Sequence, residues 1–176
     1  LRSTIIGMMV YSRDPEVLKQ VDELYGGGLE SIDPELRPLV IGSVVHRSDD
    51  LQLIRDLLDT YQTTASVDLR EDISTGLTNV KQPEHIDYLI DNLTKTNVIR
   101  TQDTARWFVY LIRNRYSRGS VWSWMQSHWD WIHSTFSGDK SFDYFPRYAA
   151  SGLSTPEQRD EFAKFFAPLR SDPSLT

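Results

Sequence analysis

Apolar residues recur along this chain at steps of three and four, which is the spacing of one face of an α-helix rather than the alternation of a strand. Leu36, Val40 and Val44 form one stripe, and Ile54, Leu57, Leu58 and Tyr61 the next. Leu69, Ile73, Leu77 and Val80 are followed by Ile86, Leu89, Ile90 and Leu93, and Ala105, Phe108, Val109, Ile112 and Tyr116 open a further helix. From Val121 the stripe turns aromatic. Val121, Trp122, Met125, Trp129, Ile132 and Phe136 predict one long helix, with Trp124 and Trp131 off its stripe, facing either the neighbouring helices or the Phe142, Tyr144, Phe145 and Tyr148 cluster.

The helix starts carry their own chemistry. Asp14 and Asp33 offer carboxylates to the amides left unpaired in a first turn, and Pro15 and Pro34 sit where no donor is needed. Pro38 falls near the first turn of its helix, where it distorts rather than breaks. Thr155, Pro156 and Gln158 form a capping-box pattern for a last helix whose buried face is Phe162, Phe165 and Phe166. Gly26-Gly27-Gly28 reads as a helix stop, since no strand precedes it and no Gly-Lys-Ser/Thr follows.

Sliding the chain against itself shows a repeat. Leu1-Arg2 recurs as Leu36-Arg37 and Leu69-Arg70, at offsets of 35 and 33 residues, with Ile5, Val40 and Ile73 each four residues after the Leu. Gly7 matches Gly42, and the breaks at Asp14-Pro15-Glu16, Asp49-Asp50 and Gln82-Pro83-Glu84 divide each copy into two helices. A pair of that size cannot bury its stripes alone, so successive pairs must stack on one another. The expected fold is all-α: a solenoid of antiparallel helix pairs in one domain over 1–176, regular in 1–100 and aromatic-rich in 101–176.

Composition narrows what such a fold can do. Of 176 residues, 39% are hydrophobic and 25% charged, and no apolar run approaches a membrane span. The absence of cysteine excludes disulfides and thiolate chemistry and suits a reducing compartment, so the expected location is cytoplasmic. With a net charge of −6, acidic over 1–100 and slightly basic over 101–170, the chain lacks the clustered basic face that nucleic acid requires.

No catalytic residue emerges. None of His46, His85, His128 and His133 lies in a His-Glu-x-x-His helix, and the last two, five apart, fall about 140° from each other around a helix, so no metal site is expected. Asn92-Leu93-Thr94 matches a glycosylation acceptor, but it is expected inside a helix as a surface residue. The segment with most character is basic: Arg106, Arg113, Arg115 and Arg118 surround an apolar helix and its connection to the tryptophan helix, and Arg147 follows. Arg113, Arg118 and Arg147 are the candidate substrate residues, because a guanidinium holds a carboxylate through two parallel hydrogen bonds. The competing reading is exposed charges paired with Asp or Glu.

Several runs carry a resemblance. Trp107-Phe108, Arg113-Asn114-Arg115, Gly119, Val121-Trp122-Ser123-Trp124-Met125 and His128-Trp129-Asp130-Trp131 resemble the C-terminal helical domain of aminopeptidase N-type zinc enzymes. Asp14-Pro15-Glu16, Asp33-Pro34-Glu35-Leu36-Arg37, Pro146-Arg147-Tyr148 and Phe162-Ala163-Lys164-Phe165-Phe166 are similar to the same domain, so the likeness spans essentially the whole chain. It implies a HEAT-like right-handed α-α superhelix that covers an active-site entrance, forms the chamber admitting peptides, and contacts a substrate's C-terminal end. The zinc, its ligands and the glutamate base belong to an upstream catalytic domain, the implied partner, and this chain is then a fragment cut at both ends. Tetratricopeptide repeats share the period, but their Trp-x-x-Leu-Gly-x-x-Tyr pattern is missing. The alternative is a free-standing helical-repeat scaffold that binds a protein or peptide partner.

Overall fold

The computed structural model describes residue 7 and residues 13–169. Leu1, Arg2 and Ile5 of the first repeat copy, and the tail from 171 to 176, lie outside the described residues. Among the described residues the regular structure is helical throughout, with no strand. The chain divides into two compact units, Leu1–Leu89 and Ile90–Thr176.

In the first unit, α1 (Pro15–Gly26) starts on the Asp14 carboxylate, which accepts from Glu16 N at 3.0 Å and Val17 N at 3.3 Å. It stops in the glycine run, where Gly28 takes φ 93°, a conformation open to glycine. A single 3₁₀ turn, Leu29–Ser31, leads to Asp33. The expected helix start at Asp33-Pro34 is instead a turn: α2 (Arg37–Arg47) begins three residues later. Pro38 has no N–H to give the Pro34 carbonyl, so regular hydrogen bonding sets in only around Arg37. Then follow α3 (Leu51–Thr63), capped by Asp50, α4 (Val67–Leu77), capped by Ser66, and α5 (Pro83–Ile90).

The stripes read from the sequence line this unit's interior: Ile54, Leu57, Leu58, Tyr61, Leu69, Ile73, Leu77, Val80, Ile86 and Leu89 are all buried. The period becomes a contact. Arg37 Nη1 donates to Asp72 Oδ2 at 2.8 Å, 35 residues on, Ile41 lies against Gly76, and His46 Nδ1 bonds the Asn79 carbonyl at 3.1 Å. Because residue numbers rise together in these pairs, α2 and α4 run parallel. The carbonyl only accepts, so His46 donates from Nδ1. Asp72 is half-buried, and that burial pushes its carboxyl above the ordinary value; the Arg37 hydrogen bond and charge pull it down, while Asp68 and Glu71 push it up.

In the second unit, α6 (Thr101–Arg113) buries Trp107, Phe108, Leu111 and Ile112. The single tryptophan helix expected from Val121 to Phe136 is two helices, α7 (Arg118–Ser127) and α8 (Trp129–Phe136). They part at His128, φ −112° and ψ 18°. The Trp124 carbonyl there accepts from His128 N at 2.9 Å and Ser127 Oγ at 3.0 Å, with His128 Nδ1 at 2.9 Å; side-chain donors crowding one carbonyl end the helix. A 3₁₀ turn, Lys140–Asp143, leads into α9 (Tyr144–Ser151), whose Phe145 meets Phe108 at 4.8 Å and Phe136 at 5.2 Å between ring centroids.

The capping box at Thr155 and Gln158 is present at the start of α10 (Pro156–Phe166). Its face is not buried as expected: Phe162, Phe165 and Phe166 are half-buried, resting on Trp122 and Trp129. Trp129 is buried, with Phe142, Phe165 and Phe166 around it, and Trp124, off the expected stripe, is buried beside Phe108. Trp122 is half-buried and donates to Glu161 at 2.8 Å. Asn92 also differs: α5 ends at Ile90, residues 91–94 form a turn, and Asn92 is carried inward and buried.

Candidate functional site

The basic segment gathers around the connection from α6 to α7. Asn114 Oδ1 accepts from Tyr116 N at 3.0 Å, a local turn that reverses the chain after α6. Ser117 Oγ, fully buried, donates to the Leu111 carbonyl at 2.6 Å and fixes the start of α7. Arg115 stacks over the Tyr116 ring at 4.7 Å and donates to its hydroxyl at 2.6 Å. Arg106 pairs with Asp103 at 3.4 Å.

The three candidate arginines stand in different surroundings. Arg113 is the last residue of α6 and exposed, where the helix's negative end favours a cation. Arg147 is exposed on α9 and pairs with Asp143, one turn earlier, at 3.4 Å; with side chains 64% and 60% exposed the pair contributes little. Arg118, half-buried, is bonded to backbone: Nε to the Ile112 carbonyl at 3.1 Å, Nη1 to Gly152 at 3.4 Å and Nη2 to Arg113 at 3.5 Å. The structure therefore joins the three through the main chain, since Arg118 bonds the carbonyl of Arg113 and the residue that ends the helix of Arg147.

Two arginines escaped the sequence reading. Arg37 and Arg70 are buried, and both donate to carbonyls of the segment before their helix: Arg37 to Leu29 at 2.9 Å and Ile32 at 3.2 Å, Arg70 to Tyr61 at 3.2 Å and to Thr64. The Leu-Arg repeat was the signal for them.

Chemistry that needs a nucleophile or a metal finds no support among these groups. Ser127 Oγ approaches His128 Nδ1 at 3.0 Å, but Nδ1 also meets the Trp124 carbonyl, to which it donates, so it is not a free base. Among the described residues no group of three or more His, Cys, Asp or Glu is gathered for a metal ion. No described helix is long and apolar enough to cross a membrane. What the arrangement offers is guanidinium donors on a helical scaffold.

This sequence is similar to those of known proteins. The sequence profile of the ERAP1-like C-terminal domain matches residues 1–176. Aminopeptidase N of Lactococcus lactis subsp. lactis is 28% identical over 99% of this chain and 21% of its own length. Aminopeptidase N of Lactobacillus helveticus is 26% identical over 100% of this chain and 21% of its own. Glutamyl aminopeptidase of Mus musculus is 29% identical over 78% of this chain and 15% of its own. The chain spans about a fifth of the length of the aminopeptidase N relatives it matches.

Proposed function

Because the chain belongs to the family of ERAP1-like C-terminal domains, we propose that it is the non-catalytic C-terminal domain of a zinc aminopeptidase, an enzyme that removes N-terminal residues from peptides. The observation that carries this reading is coverage: relatives named aminopeptidase N align with 99% or more of this chain using only 21% of their own length. Zinc and the hydrolytic groups then belong to the parent protein's catalytic domain, which is this chain's partner. The proposed role here is to cover the active-site entrance and wall the chamber that receives peptide substrates, in the cytoplasm, a compartment that suits a chain without cysteine.

Within that chamber the exposed guanidiniums of Arg113 and Arg147 attract the peptide's C-terminal carboxylate. The coding sequence upstream of Leu1 provides the first test. It is expected to contain His-Glu-x-x-His and a later glutamate ligand, and their absence would leave the free-standing scaffold as the better reading. The second test compares kcat/KM for a peptide acid and its amide in the full-length enzyme. Where the enclosed chamber takes water from these arginines, an arginine–carboxylate bond contributes roughly 1.5 to 3 kcal/mol, so Arg113→Ala or Arg147→Ala reduces the preference for the acid by about ten- to a hundredfold. Unchanged ratios in both variants confine the domain's role to shape and closure.

A further inference from the structure

Arg118 repeats the geometry of Arg37 and Arg70 in a part of the chain where the sequence repeat has faded. In all three, Nε donates to a carbonyl 6 to 9 residues earlier and Nη2 to one 5 or 6 residues earlier, tying the preceding segment to the start of a new helix. The remaining nitrogen of Arg37 reaches 35 residues ahead to Asp72, and that of Arg118 reaches 34 ahead to the Gly152 carbonyl. These reaches of 35 and 34 residues fall within the span of the offsets, 33 and 35, that separate the Leu-Arg copies.

Gly152 supplies an independent sign. Its φ of −94° and ψ of −1° are open to any residue, so backbone conformation does not call for glycine there. Space is tight instead: a Cβ would stand 3.0 Å from Arg118 Nε, 3.2 Å from Cδ and 3.4 Å from Cζ, so the Arg118 side chain would have to give by a few tenths of an ångström. The glycine leaves room for the guanidinium to lie against the end of α9.

We infer that Arg118 is a positioning residue: a guanidinium clamp that holds the end of α6, the start of α7 and the end of α9, and so sets the segments that carry Arg113 and Arg147. The clamp stands on geometry alone, whereas its service to Arg113 and Arg147 rests on the carboxylate reading above. A carboxylate can draw Arg118 away only by breaking its bonds to three carbonyls. Lysine cannot replace it, because a single ammonium lacks the planar fork that meets acceptors on separate segments.

The test is a double-mutant cycle in the full-length protein, read by hydrogen exchange of the amides at the end of α9. Arg118→Ala and Gly152→Ala are each expected to speed that exchange about tenfold, Arg118→Lys to leave it fast, and Gly152→Ala to add less than twofold once Arg118 is gone. Where Arg118→Ala does not accumulate, Arg118→Met, which keeps the aliphatic stem, takes its place. A Gly152→Ala effect of equal size in both backgrounds, or wild-type exchange in Arg118→Lys, overturns the clamp. So does an acid-to-amide preference that Arg118→Ala loses and Arg118→Lys restores, since Arg118 would then bind the carboxylate itself. If Arg113→Ala and Arg147→Ala leave that preference intact while the exchange cycle holds, the carboxylate reading fails and the clamp remains.

Discussion

Replacing Gly76 by alanine adds one methyl group where α2 and α4 approach each other closely. The new Cβ would stand 2.5 Å from Ile41 Cβ and 3.2 Å from Gly42 N. Carbon atoms in contact settle at about 3.5–4.0 Å, so the shortfall against Ile41 is about 1 Å or more. Ile41 is fully buried, and its Cβ is fixed to the backbone, so no rotamer change relieves the overlap and the helices must move apart. Alanine gains about 1 kcal/mol of helix propensity over glycine, against about 3 kcal/mol for overpacking at the severe end, which leaves a net loss of about 2 kcal/mol. Gly119, in the first turn of α7, is the control: no atom lies within 4 Å of its added Cβ, so Gly119→Ala keeps the propensity gain of up to about 1 kcal/mol. Both variants of the isolated chain are unfolded in urea and followed by far-ultraviolet circular dichroism. The expected result is a lower midpoint for Gly76→Ala and an equal or higher one for Gly119→Ala, with unchanged slopes. A Gly76→Ala chain as stable as the parent would refute the register in which α2 stacks on α4.

Two further substitutions probe the aromatic core and the buried ion pair. Trp129→Ala removes a buried ring that meets Phe142, Phe165 and Phe166 at 5.2 to 5.7 Å and is expected to cost about 3–5 kcal/mol, measured as a fall in the thermal midpoint; an unchanged midpoint places Trp129 on the surface. Burial holds the Asp72 carboxyl above its ordinary value, so the folded chain binds that proton more tightly than the unfolded chain does. The contribution of this group is complete below the ordinary value and is lost as pH rises through the raised one. The stability of the parent relative to Asp72→Asn is therefore expected to grow on acidification from pH 7 toward about 4, and a difference that stays flat or shrinks over that range rules the assignment out.

Most of the buried stripes could be read from spacing alone, because a helix that packs on one side has few other ways to place Ile54, Leu57, Leu58 and Tyr61, or Leu69, Ile73, Leu77 and Val80. The caps at Asp14 and Thr155 were equally legible, since their acceptors act within three residues. What stayed hidden depends on contacts between distant segments or on competition at one atom. The break at His128 arises from donors that gather on the Trp124 carbonyl, a local choice that the apolar stripe running through it conceals. The surroundings of Trp129 include Phe165 and Phe166, more than thirty residues away, so periodicity could say that it is buried but not by what. Arginine gave the least away. Arg113 and Arg118 read alike as cations near the end of a helix, yet one is exposed and the other is bonded to three carbonyls, a difference of geometry rather than of residue type.

A domain proposed to serve an aminopeptidase without a share in the hydrolytic chemistry leaves the activated metal-bound water to the rest of the protein. The most direct measurement assays the full-length protein and the isolated 176-residue chain side by side on an alanyl or lysyl reporter, each against a zinc-free, chelator-treated control. The expected result is N-terminal residue release by the full-length protein, loss of that release on chelation, and a rate for the isolated chain indistinguishable from its control. Chelator-sensitive hydrolysis by the isolated chain, or a full-length protein that releases no N-terminal residue, would contradict it.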